Sequence, residues 1–156
     1  MPIKHTKKVA QERKFDKMNS VFKDWKLETD DMASKQLEYD AEYNKLSRFI
    51  KDQSELKSVY AVLQQYYRPL RDQFFHQISK AEAYPVIDWI DFTNNCVIWN
   101  IIDNQLKMQD IDRIFIATNV ELEDQEGNDD RSLCRFEFYE IITRMAKTKY
   151  LESGVV

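Results

Sequence analysis

Two glycines in a chain of 156 residues leave almost no positions for tight hairpin turns or phosphate-cradling loops, which need a backbone that only glycine adopts freely. Three prolines add little further turn chemistry. Most glycine-dependent enzyme folds are thereby excluded, turn residues for sheets are missing, and helices become the default element. The chain is also 43% hydrophobic and 13% aromatic, a mixture that disordered polymers lack, so an all-α fold with a proper core is expected. A chain this long makes one domain and buries about 68–70% of its unfolded surface.

Apolar residues three and four apart locate the helices. Phe15, Met18, Val21, Phe22 and Trp25 form a stripe that predicts an amphipathic helix between Val9 and Trp25. A second helix, capped by Asp30 or Asp31, is expected to run through Met32, Leu37, Tyr43, Leu46 and Phe49 to Ile50. Asp52 or Ser54 opens the next, along Leu56, Val59, Leu63, Tyr67 and Leu70, and Pro69 is expected to stop or kink it. If Pro69 stops it, a new helix begins there with Phe74 and Ile78 on one face. Further helices follow from about Ile87, from near Gln109, and from Leu133 to Met145, and a strand competes only within Ile114–Val120, where at most a short bridge is expected. The expected core centres on Trp89, Phe92, Trp99, Phe115, Phe136 and Ile141.

Charge divides the chain unevenly. Residues 1–26 carry eight basic and three acidic side chains, a net of +5, which leaves −9 on the remainder of a chain whose total is −4. A basic arm on an acidic body is suited to an acidic partner. Lys7, Lys8, Arg13 and Lys14 are the expected steering charges and Phe15, Met18, Phe22 and Trp25 the expected anchors, unless the stripe folds back on Leu37, Tyr43 and Phe49 of its own chain. The acidic body argues against a broad nucleic-acid interface. Cys96 and Cys134 lie far apart in apolar helical patterns, as reduced core cysteines of a cytoplasmic protein do. Neither a signal-peptide core nor a membrane-spanning apolar run is present in the sequence.

The second half reads as two helix-loop-helix units, roughly 69–102 and 109–149, which raises the question of calcium. A calcium loop of the EF-hand type needs oxygen ligands at positions 1, 3 and 5, glycine at 6, an apolar residue at 8 and a bidentate glutamate at 12. With Glu137 at position 12, Glu126 falls at 1, Asn128 at 3, Asp130 at 5 and Leu133 at 8. Arg131, however, stands at the glycine position, and Glu126 is longer than the usual aspartate. In the first unit Asp91 falls at 12 and Ile87 at 8, but Lys80 and Tyr84 occupy positions 1 and 5, where neither holds calcium. The expectation is paired EF-like units whose loops serve as scaffold; the alternative is one working calcium site in the second loop. The runner-up architecture is the same pair with a two-residue antiparallel bridge between Ile87 and Leu133, compatible with either outcome.

The segments RPLRDQFFHQIS, YPVIDWIDFTNNC, DIDRIFIATNVELEDQ and SLCRFEFYEIITRMAKTKY resemble a divergent EF-hand-pair module of ciliate and flagellate proteins, over about residues 56–150. The run RIFIATN, the acidic insertion after it and the RFEF segment carry most of the likeness. The resemblance implies a structural or adaptor protein of the ciliary axoneme or microtubule cytoskeleton, with tubulin or other axonemal proteins as partners. The residues themselves suggest no catalyst. His5 and His76 are the only histidines and assemble no triad, and phosphate-loop, dinucleotide and zinc motifs are missing from the sequence.

Overall fold

A computed structural model describes residues 14–120 and 131–154. Its helices are α1 (Asp30–Tyr43), α2 (Leu46–Phe49), α3 (Gln53–Ile78), α4 (Trp89–Ile98), α5 (Met108–Asn119) and α6 (Arg135–Ala146). A two-residue strand precedes each of two helices: β1 (Ile87–Asp88) before α4 and β2 (Ser132–Leu133) before α6. The all-α expectation therefore holds, with the strands paired antiparallel, Ile87 opposite Leu133 and Asp88 opposite Ser132. Both apolar partners are fully buried, so this short ladder is a core feature that fixes the starts of α4 and α6 side by side.

Side-chain caps set most helix starts. Thr29, rather than Asp30 or Asp31, caps α1 by accepting the Met32 N–H at 3.3 Å. Asp52 caps α3, accepting from Ser54 and Glu55, and Asp88 caps α4 through the Asp91 N–H at 2.8 Å. Asp110 reaches back to the Lys107 N–H at the start of α5, as Glu137 does to the Cys134 N–H at the start of α6. At the end of α4 the left-handed residue is Asn100, φ 54°, and the Ile101 N–H returns to the Cys96 carbonyl. In a chain so poor in glycine, asparagine takes the cap that glycine usually fills.

Three open points about the helices are decided by the structure. The helix expected from Asp30 to Ile50 breaks after Tyr43, because the Lys45 N–H is bonded to the Glu140 carboxylate at 2.5 Å, 95 residues away, instead of to a helical carbonyl. Asn44 secures the break by accepting the Tyr60 hydroxyl at 2.8 Å. Of the two outcomes expected at Pro69, the stop is excluded: α3, 26 residues long, runs through it to Ile78. The cost of an interior proline, ~3 kcal/mol, is offset by burial on both sides of it, at Leu63 and Tyr67 before and at Phe74 and Ile78 after. The run Ile114–Val120 contains no strand; it is the last turns of α5 and its cap.

The core has two parts joined by α3 and α6. The larger brings Phe74, Phe92, Phe115, Leu133, Phe138 and Ile141 together, with Trp89 and Trp99 partly buried at its margin. The smaller packs Leu37 and Leu46 against Leu63, Tyr67 and Tyr139. Phe136, expected at the centre, is only half-buried beside Tyr43, with ring centroids 5.6 Å apart. Its neighbours Glu137 and Phe138 occupy the inward positions of α6 instead.

Charged groups hold the two parts together. Glu140 is fully buried and receives the Lys45 N–H, the Lys45 ammonium at 3.6 Å and the Arg144 guanidinium at 3.1 Å. The Lys45 ammonium also donates to the Thr118 carbonyl at 2.6 Å, which ties the α1–α2 junction to the end of α5. Arg135 of α6 holds the buried Asp40 of α1 with bonds of 2.9–3.1 Å, and the Tyr67 hydroxyl adds a third group. Burial pushes the Asp40 carboxyl up, against the pull of Arg135.

Candidate functional site

Of the four oxygen donors in the candidate calcium loop, Glu126, Asn128 and Asp130 lie outside the described residues. Glu137 is described, in the first turn of α6, buried, with one carboxylate oxygen accepting the Cys134 N–H at 3.1 Å. That capping bond orients the carboxylate toward the start of its own helix, beside β2. Among the described residues no group of three or more histidine, cysteine, aspartate or glutamate side chains is placed to hold a metal ion. In the first unit, burial pushes the Asp91 carboxyl up, helped by Asp88 and Glu82.

The arm is only partly described, since Lys7, Lys8 and Arg13 fall before the first described residue. From Lys14 onward it is not the expected amphipathic helix. Asp16 caps a single 3₁₀ turn, Lys17–Asn19, and Ser20 then closes a further turn by accepting the Phe22 N–H. An isolated helix of this length is marginal in water without a surface to bury its stripe, and here the stripe has none. Phe15 is 72% exposed, Met18 73%, Phe22 54% and Trp25 60%, so the alternative in which they pack on the body is also corrected. Phe15 and Phe22 approach one another instead, ring centroids 6.4 Å apart.

What the sequence reading missed is how the arm is moored. Glu28 lies against α3, its carboxylate paired with both terminal nitrogens of the buried Arg71 and 3.3 Å from Arg68, which also pairs with Asp30 at 3.0 Å. The arm thus leaves the body from a fixed point at the start of α1. Hydrogen bonding to Arg71 holds the Glu28 carboxyl below its usual 4.5, with burial opposing. A lowered folded value means that this mooring contributes fully above pH 4.5 and is lost as the pH falls through the lowered value. In an acid titration followed by NMR, the Arg71 Nε–H resonance is expected to move in that step, and the step is expected to vanish in Glu28→Gln. An Arg71 resonance indifferent to acid contradicts the mooring.

The remaining reactive groups are placed as follows. Cys96 and Cys134 are free thiols; burial pushes Cys96 up to about 12 and raises Cys134 as well, with the Glu137 charge adding to the rise. His76 is exposed on the last turn of α3. No helix among the described residues is long and apolar enough to cross a membrane. No family model, curated protein or solved structure matches this chain.

Proposed function

We propose that this chain is a non-enzymatic adaptor: the helical body is a scaffold of two EF-hand-like units, and the basic arm carries the contact with a protein partner. The observation that carries this reading is the exposed stripe Phe15, Met18, Phe22 and Trp25, moored by Glu28 and lying off the body. Exposed apolar side chains in a basic segment favour an acidic protein surface with apolar sites on it. The resemblance to axonemal modules points to a cytoplasmic, ciliary or microtubule setting, with tubulin as the first partner to test. Co-sedimentation with polymerised tubulin is expected to retain the full chain, and Phe22→Ala combined with Trp25→Ala is expected to weaken binding at least tenfold. Added salt is expected to slow association. Binding unchanged in that double variant contradicts the reading.

The second reading is a calcium sensor. It is favoured by Glu137 at position 12 of the second loop, while the pairing of Ile87 with Leu133, the residues at position 8 of their loops, suits either reading. Calorimetric titration with calcium separates the two: micromolar binding abolished by Glu137→Gln supports the sensor, and absence of heat supports the scaffold.

A further inference from the structure

Glu140 answers two cations with one charge. The Lys45 ammonium is buried and also bonded to the Thr118 carbonyl, so the unmatched positive charge falls to Arg144, whose side chain is 17% exposed. Arg144 meets Glu140 through Nε alone, at 3.1 Å, and both of its terminal nitrogens are without a partner among the described residues. Its guanidinium is held in place all the same, 4.2 Å from the centroid of the Phe49 ring. An arginine fork fixed at its root and unpaired at its tip is suited to take two oxygens of one anion.

Arg144 lines a pocket of about 230 Å³ between the end of α2, the outer side of α5 and the chain just past α6. Pockets that enclose drug-sized ligands run to roughly 300–1,000 Å³, so this one suits a single small group. Lys147, Thr148 and Arg113 bring further donors to its lining, and Asp110 and Glu152 bring carboxylates. Asp110 is committed elsewhere, since it accepts the Lys107 N–H at 2.9 Å and pairs with Arg113. Glu152 is not: its side chain is 54% exposed and meets Lys147 only at 3.6 Å. Lys147–Glu152 winds as a π-helix, a rare form that is often found at functional sites.

We propose that this pocket binds a phosphate group, held by the Arg144 fork and the Lys147 ammonium with the Thr148 hydroxyl as a further donor, and that Glu152 is the carboxylate this anion displaces from Lys147. A carboxylate ligand would be matched by the Arg144 fork alone, whereas a second cation and a hydroxyl beside it favour an anion with three oxygens and nearly two charges. The described residues of the arm contribute nothing to the lining, so the site stands whether or not the arm carries a partner.

An NMR titration of the full chain with inorganic phosphate, beside sodium chloride at equal ionic strength, tests the inference. The Arg144 Nε–H and the backbone resonances of Lys147 and Thr148 are expected to move and to saturate with phosphate but not with chloride. Lys147→Ala is expected to weaken binding roughly tenfold, and Glu152→Gln, which frees Lys147, to tighten it severalfold. Both side chains are partly exposed, and circular dichroism is expected to show both variants folded. Arg144→Lys, which keeps the charge on Glu140 and loses the fork, is expected to weaken binding as much as Lys147→Ala. A phosphoserine blocked at both ends separates the sources: binding at least as tight as that of inorganic phosphate assigns the site to a phosphorylated protein, and weaker binding to the free ion. Shifts that fail to saturate, shifts that chloride reproduces, or an affinity unmoved by both Lys147→Ala and Glu152→Gln each overturn the proposal.

Discussion

Glu140→Ala is expected to destabilise the protein by ~3–5 kcal/mol, because the residue is fully buried and three donors converge on it. Removing the carboxylate leaves the Lys45 N–H without its acceptor and the Lys45 ammonium, at 9% side-chain exposure, without its counter-charge. The Thr118 carbonyl remains as a partner for that ammonium but does not neutralise it. Total stability of a domain is about 5–15 kcal/mol, so the loss is a large share of it. Thermal unfolding is expected to shift down by roughly 10 °C, at ~2–4 °C per kcal/mol for a chain of this size. Glu140→Gln, which keeps an acceptor for the Lys45 N–H, is expected to lose less. Equal losses for the two variants would mean that the charge, rather than the hydrogen bond that breaks the helix at residue 44, carries the effect.

Phe138→Ala is the second large effect. Phe138 is 1% exposed and lies between Phe74, Trp99 and Tyr139, with ring centroids 5.6, 6.5 and 6.3 Å away. Truncation of a buried phenylalanine costs ~3–5 kcal/mol, from lost transfer energy and from the cavity that the rigid neighbours leave unfilled. The half-buried Phe136 is expected to cost about half as much when truncated, since part of its ring already faces water. Urea unfolding checks both, as a lower midpoint at unchanged slope. A Phe136→Ala loss as large as that of Phe138→Ala would contradict the assignment of the inward face of α6.

These residues show what was legible in the sequence. Ile87 and Leu133 are legible as partners because each falls at position 8 of an EF-like loop, four residues before the carboxylate at position 12, and such local spacing survives into the structure. Asp52 could be read as a cap for the same reason. The break at Asn44 could not, because its cause is Glu140, on a helix 95 residues later in the chain. Pro69 misled because the local cost of an interior proline is visible in the sequence, whereas the burial that outweighs it is long-range. The arm misled in the opposite way: its stripe has helical spacing, but a stripe forms a helix only where something covers it. Arg71 gave no signal at all, since an arginine with Arg68 one turn before it and Asp72 beside it does not announce Glu28, 43 residues away, as its partner. For the candidate calcium loop the sequence placed Glu137 at the start of α6, where the structure also has it, while its other three donors lie outside the described residues.

The adaptor account comes down to whether the arm belongs to the fold or to a partner, and a truncation beginning at Leu27 decides it. Glu28, Thr29 and the whole of α1 remain in that protein, and every large apolar side chain removed from the described part of the arm is more than half exposed. Melting temperature and tubulin co-sedimentation are to be measured on the same preparation, beside the full chain. The account predicts an unchanged melting temperature and binding lost. A melting temperature lowered by several degrees, with tubulin binding intact, would contradict it.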